Sequence, residues 1–167
     1  MNVSFDVNDA SLRHEFINDQ MLEVLNRLDE DTPALWGRMS AQHMLEHLIW
    51  TFNVSIGRAA GRCDFTKARQ RIMKQFIYTN MATPHQFENP LLPAHPLPME
   101  FADINAAKLA LSKAVTAFSS YYLANPEAEH IHPLFGRLGR EDWERVHYKH
   151  CFHHLSQFGL ISQDAHI

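Results

Sequence analysis

Five prolines between Pro84 and Pro98 (with Pro90, Pro93 and Pro96 between them) exclude regular helix and central strand from that stretch. Helical periodicity holds on both sides of it, so it reads as a long crossover between two helical halves. Phe87, Leu91, Leu92 and Leu97 are spaced along it as hydrophobic anchors, which separates it from a low-complexity linker.

Before the crossover, Asn8 to Leu28 reads as a first helix, with Leu12, Phe16, Leu25 and Leu28 near helical spacing and Asp9 as its cap. Thr32-Pro33 breaks the pattern and opens a connection through Trp36-Gly37. Ser40 is a good N-cap for a second helix, with Met39 and Met44 as a hydrophobic staple. Met44, Leu48, Phe52 and Ile56 form its core stripe, and Gly57 and Gly61 mark its end. Phe65 to Tyr78 is weakly helical and basic on one side, as a surface helix would be.

After the crossover, Asp103 to Leu123 carries Ile104, Leu109, Leu111, Val115 and Phe118 at apolar positions among many alanines, and Asn125-Pro126 ends it. His132-Pro133-Leu134-Phe135-Gly136 reads as a turn. The last helix begins near Gly139 or Arg140, with Glu141 and Asp142 in the first turn where the helix dipole favours acids. Gly159 ends it. Four substantial helices and no convincing strand pattern predict an all-α four-helix bundle with a long Pro-rich crossover, in one domain over residues 1–167.

A net charge of −4, from 15 basic and 19 acidic residues, disfavours nonspecific nucleic-acid binding. No apolar run approaches the ~20 residues that span a bilayer. Asp6, Asp9 and Glu15 interrupt any signal-peptide apolar region, so a cytoplasmic protein without membrane partners is expected. Cys63 and Cys151 form no disulfide scaffold.

The chemistry lies in His150-Cys151-Phe152-His153-His154. His150 and His154 are one helical turn apart on one face, where two imidazoles can grip one transition metal. Trp143, His147 and Gln157 share that face, while His153 projects away by roughly 100° from its neighbour. A third ligand must come from another element. His47 and His43 are the candidates on the second helix, with His47 nearer the Met44–Phe52 stripe and His43 in the more solvated first turn. His132 reads as a supporting or structural residue. Cys151 takes the place that the Glu of HExxH would occupy, and it reads as packing rather than nucleophile. Glu46, beside His47, should point outward, so no carboxylate is an evident general base. Trp143 and Gln157 read most simply as core packing and helix capping.

Over nearly its whole length the chain resembles the DinB/YfiT-like superfamily of metal-binding four-helix bundles, and more closely an uncharacterised bacterial branch of it, with two end motifs as the specific part. The likeness is carried by Trp36, Met39, Ser40, Gln42, Met44, His47 and Leu48, then by His132 to Gly136, Leu138, Trp143 and Lys149 to Gly159. His43 stands where Gln would be expected, and Gly139 where a Ser or Thr cap is usual. The resemblance implies that His47, His150 and His154 are the ligands of a divalent ion, zinc or nickel by expectation, with iron or manganese as alternatives. It also implies a homodimer. Relatives by this resemblance include transferases of low-molecular-weight thiols, a maleylpyruvate isomerase that uses such a thiol, and presumed hydrolases. A small-molecule substrate, with a thiol as cosubstrate or with water, follows as the expectation; a noncatalytic metal-binding or stress-related protein is the alternative.

Overall fold

A computed structural model describes residues 1–85 and 98–163. The expected anchors Phe87, Leu91, Leu92 and Leu97, and Pro90, Pro93 and Pro96, lie outside the described residues; Pro84 and Pro98 flank them without regular structure.

The protein is largely helical. Its first helical run covers residues 10–27 and changes pitch along its length: α1 (Ala10–Glu15), a π-helical turn (Phe16–Gln20), α2 (Met21–Val24) and a 3-10 turn (Leu25–Arg27). Asp9 caps it by accepting from the backbone N–H of Ser11 and Leu12. The second helix, α3 (Ala41–Ser55), starts at Ser40, whose hydroxyl accepts from the N–H of His43 at 3.2 Å. The basic stretch forms α4 (Lys67–Lys74), a surface helix with no buried residue, followed by a 3-10 turn (Gln75–Tyr78). Asp103 caps α5 (Ile104–Ala124) by accepting from Ala106 N–H at 2.8 Å. The last helix is α6 (Arg140–Gln157), which begins at Gly139 without a side-chain cap.

The core lies where α3, α5, α6 and the first helical run meet. Met44, Leu48 and Phe52 of α3 are fully buried, as are Leu111 of α5 and Trp143 of α6. Phe118 closes the aromatic centre, its ring 5.8 Å from Phe52 in an edge-on arrangement. Leu109 departs from its expected apolar role and is 58% exposed. The buried stripe of α5 runs instead through Ile104, Ala107, Leu111, Val115, Phe118 and Tyr122, and Leu109 falls well off that line.

Two short ladders also depart from the strandless expectation. β1 (Asn2–Val3) pairs in parallel with β4 (Ser162–Gln163), joining the two ends of the fold. β2 (His130–His132) pairs antiparallel with β3 (Gly136–Leu138), in register His130↔Leu138 and His132↔Gly136. The expected turn at 132–136 is therefore the bend of a hairpin, and Gly136 supplies its left-handed backbone with φ +76°. Among the described residues, no helix is long and apolar enough to cross a membrane.

Candidate metal centre

Two neighbouring helices bring three imidazoles to one point. α3 supplies His47, and α6 supplies His150 and His154 from successive turns. His150 is central: its Nε2 lies 2.9 Å from His47 Nε2 and 3.0 Å from His154 Nε2. All three ligand nitrogens fall within 4.8 Å of one another. Among the described residues the cluster contains no carboxylate or thiol.

The tautomer of His154 follows from its neighbour. The side-chain amide of Gln157 donates from Nε2 to the Trp36 carbonyl at 2.8 Å, so Oε1 is the end that faces His154. His154 Nδ1 lies 2.8 Å from that oxygen and must carry the proton. Its Nε2 therefore offers a lone pair to the cluster. Gln157 itself is held at the helix end, where its carbonyl accepts from Leu35 N–H at 2.7 Å. Close approach of the 35–37 loop depends on Gly37, whose φ is +82° and where a Cβ would come 2.5 Å from Gln157 Nε2.

This donor set fits a divalent cation. With His154 fixed as an acceptor, the single Nε2 position of His150 cannot make a good two-centre bond to both neighbours at once. One shared proton or one facing pair of lone pairs would result, whereas a cation satisfies all three nitrogens. The two short separations compare with the roughly 3.3 Å expected between nitrogens about 2.0–2.1 Å from a tetrahedral zinc. Metal ligands must also be unprotonated. Burial pushes His47 down to about 4, helped by the nearby His153, and pushes His150 and His154 well below the usual imidazole value, helped by the other rings of the cluster.

The remaining histidines stand apart. His43 Nδ1 lies 2.8 Å from Ser40 Oγ at the start of α3, outside the cluster. His132 Nδ1 accepts from the backbone N–H groups of Leu134 and Phe135 at 3.1 and 3.3 Å, so it shapes the hairpin bend. His147 is fully buried, stacked on Phe52 at 3.8 Å with Nε2 3.0 Å from Ser55 Oγ. It shares the face of α6 with His150 and His154 but sits a turn away, packed in the core. His153 points to the other side, edge-on to Trp36 at 5.9 Å and bonded to the Thr83 backbone.

Three further groups are settled by their contacts. Cys151 is fully buried, and burial raises its thiol pKa far above the ordinary value, so it packs rather than attacks. Glu46 accepts from the N–H groups of Glu100 and Phe101 and from Gln42. Burial raises its carboxyl pKa, but these bonds outweigh it and hold the group below the usual value, clamping residues 100–101 against α3. Trp143 is core. The Gln157 side chain does not cap the helix: its amide bridges the Trp36 carbonyl and His154 and so orients one imidazole of the cluster. The sequence places it on the right face, but its simplest reading there, helix capping, is not the role its amide takes.

Replacing Gln157 with leucine is expected to weaken metal affinity about 10–100-fold while leaving the three imidazoles in place, the range typical of lost supporting hydrogen bonds. A competition titration against a chromophoric chelator would measure it; unchanged affinity would show that Gln157 only ties the 35–37 loop to α6.

No curated protein and no solved structure matches the chain. One family model does match, covering residues 8–159 and so every residue of the cluster and its support. The chain belongs to that family, described as a protein of unknown function, DUF1569.

Proposed function

We propose that His47, His150 and His154 hold one divalent metal ion and that the protein is a metal-dependent enzyme acting on a small molecule, as a thiol transferase or a hydrolase. The observation that carries the metal reading is the convergence of three neutral Nε2 atoms, one of them fixed as a lone-pair donor by Gln157. The DinB/YfiT resemblance supports the same ligands, the four-helix-bundle architecture and a homodimer. Zinc or nickel suits an all-imidazole set.

A bound divalent ion with open positions supplies Lewis acidity, lowering the pKa of water or a thiol toward neutrality. Three neutral ligands leave its charge undiminished. The protein's part is placement. α3 and α6 fix the rings, and Gln157 fixes one tautomer. Glu46 is fully engaged with residues 100–101 and Cys151 is buried, so neither serves as base or nucleophile. Among the described residues no carboxylate belongs to the cluster, which favours a thiol or water activated directly over carboxylate-assisted attack.

A noncatalytic metal-binding role is the competing reading. It is favoured by one observation: a cavity of about 240 Å³ among the described residues is lined by His153 and by none of the three imidazoles. Elemental analysis of untagged protein, followed by thiol-transfer and esterase screens of the metal-loaded form, separates the two. Turnover lost on His150→Ala supports the enzyme. Stoichiometric metal without turnover in either screen supports the binding role, and absence of metal overturns both.

A further inference from the structure

A second face of α6 lines a cavity of about 240 Å³ that none of the three clustered imidazoles touches. Its walls include Phe5, Trp36, Phe152, His153 and Lys149, with Met81 and Ala82 on the exposed loop. The wall is largely aromatic. His85 lies flat on Trp36, ring centroids 3.7 Å apart and planes within 6°, and His153 meets Trp36 edge-on. For scale, an apolar cavity of about 150 Å³ holds one benzene.

Lys149 gives this cavity its chemistry. It is only 5% exposed, and its Nζ donates to the carbonyls of Thr79 and Met81 at 2.7 and 2.6 Å. The rings of Phe76 and Phe5 face it, with Nζ 4.0 and 5.8 Å from their centroids. These contacts tie residues 79–81 to α6, but carbonyls and rings carry no net charge. Among the described residues no carboxylate pairs with Lys149, and none lines the cavity. Every other buried cation that the fold pairs, such as Arg13 with Glu141 and Glu144, has an acid within 3.6 Å. A buried charge without a counter-ion is costly, and an anion in the adjoining cavity would offset it.

We propose that this cavity binds a small monocarboxylate with an apolar or aromatic body, its carboxylate drawn to the Lys149 side and its body packed on the Trp36, Phe5 and Phe152 rings. One ammonium among aromatic walls suits a single negative charge. A phosphate dianion would need several further donors. The site is independent of the metal reading, since no ligand of the cluster lines it.

The test is equilibrium binding of phenylacetate, with phenylacetamide as its neutral counterpart, to the full-length protein by calorimetry. Phenylacetate is expected to bind at least tenfold tighter than the amide. Lys149→Met should abolish that preference, and Ala82→Trp, which fills the cavity from an exposed loop position without touching the core, should abolish binding of both. Binding should persist in metal-stripped protein and in His150→Ala. Equal binding of acid and amide, binding unaffected by Ala82→Trp, or no binding at millimolar concentration would overturn the proposal. So would loss of carboxylate binding on metal removal, because the carboxylate would then be a ligand of the metal centre.

Discussion

His150→Ala is expected to leave the protein without stoichiometric metal after dialysis, with an affinity loss of at least about a hundredfold. The ring of His150 stands between the other two, 2.9 Å from His47 and 3.0 Å from His154. Its removal leaves one imidazole on each of two helices, within 4.8 Å but without the nitrogen that bridges them. The consequence for stability should be larger with metal than without it. A ligand that binds only the native state stabilises it by RT ln(1 + [L]/Kd), about 4 kcal/mol at a thousandfold excess over Kd. Wild-type protein should therefore melt at clearly higher temperature with added zinc, and His150→Ala should not respond. His43→Ala is the appropriate control, because His43 lies on the same helix as His47 yet bonds only at the Ser40 cap. His147→Ala is the second control: it should destabilise the core and spare the metal. Equal metal content in His150→Ala and wild type would sink the centre as drawn.

How much of this was legible depended on how local the signal was. Two of the helix starts could be read because an N-cap acts within four residues, and Asp9 and Ser40 each accept the backbone N–H expected of them, while Asp103, read as the first residue of its helix, is the cap instead. The pairing of His150 with His154 was equally local, since one helical turn fixes it. Bringing His47 to them is a tertiary event: its place beside the Met44–Phe52 stripe favoured it over His43, and resemblance then named it as the third ligand. The hairpin was missed because three-residue strands are too short to show alternation, leaving only the turn visible. The β1–β4 ladder joins residues about 160 apart and has no local signature. Leu109 was misplaced because the alanines of α5 blur its apolar stripe. Gln157 shows the limit most clearly: its face was predictable, but its role depends on which end of the amide meets Trp36 and which meets His154.

Acid should unfold the metal-free protein steeply, beginning near pH 6.5. Among the described residues seven histidines are pushed toward the neutral form, five of them strongly. Burial takes His47 down to about 4 and His132 to about 3, and takes His147, His150 and His154 well below the ordinary value. An imidazole in the unfolded chain titrates near 6.5. Between that value and the folded ones, the unfolded chain binds more protons than the native protein, so stability is full above about pH 6.5 and falls as pH drops. Each such group contributes up to about 1.4 kcal/mol per pH unit. Several acting together can exhaust the about 5–15 kcal/mol of a typical domain within two pH units. Far-UV circular dichroism should therefore place the midpoint of the metal-free protein between roughly pH 5 and 6. Bound zinc should move it to lower pH, because protons must then compete with the ion for His47, His150 and His154. His132→Asn isolates one contribution: its amide oxygen can accept the N–H groups of Leu134 and Phe135 as the imidazole does, but it cannot take a proton in this range. That variant should show an acid slope shallower by about one proton. Undiminished stability of the metal-free wild type down to pH 4.5 would mean that the buried imidazoles find proton acceptors or solvent within the native fold.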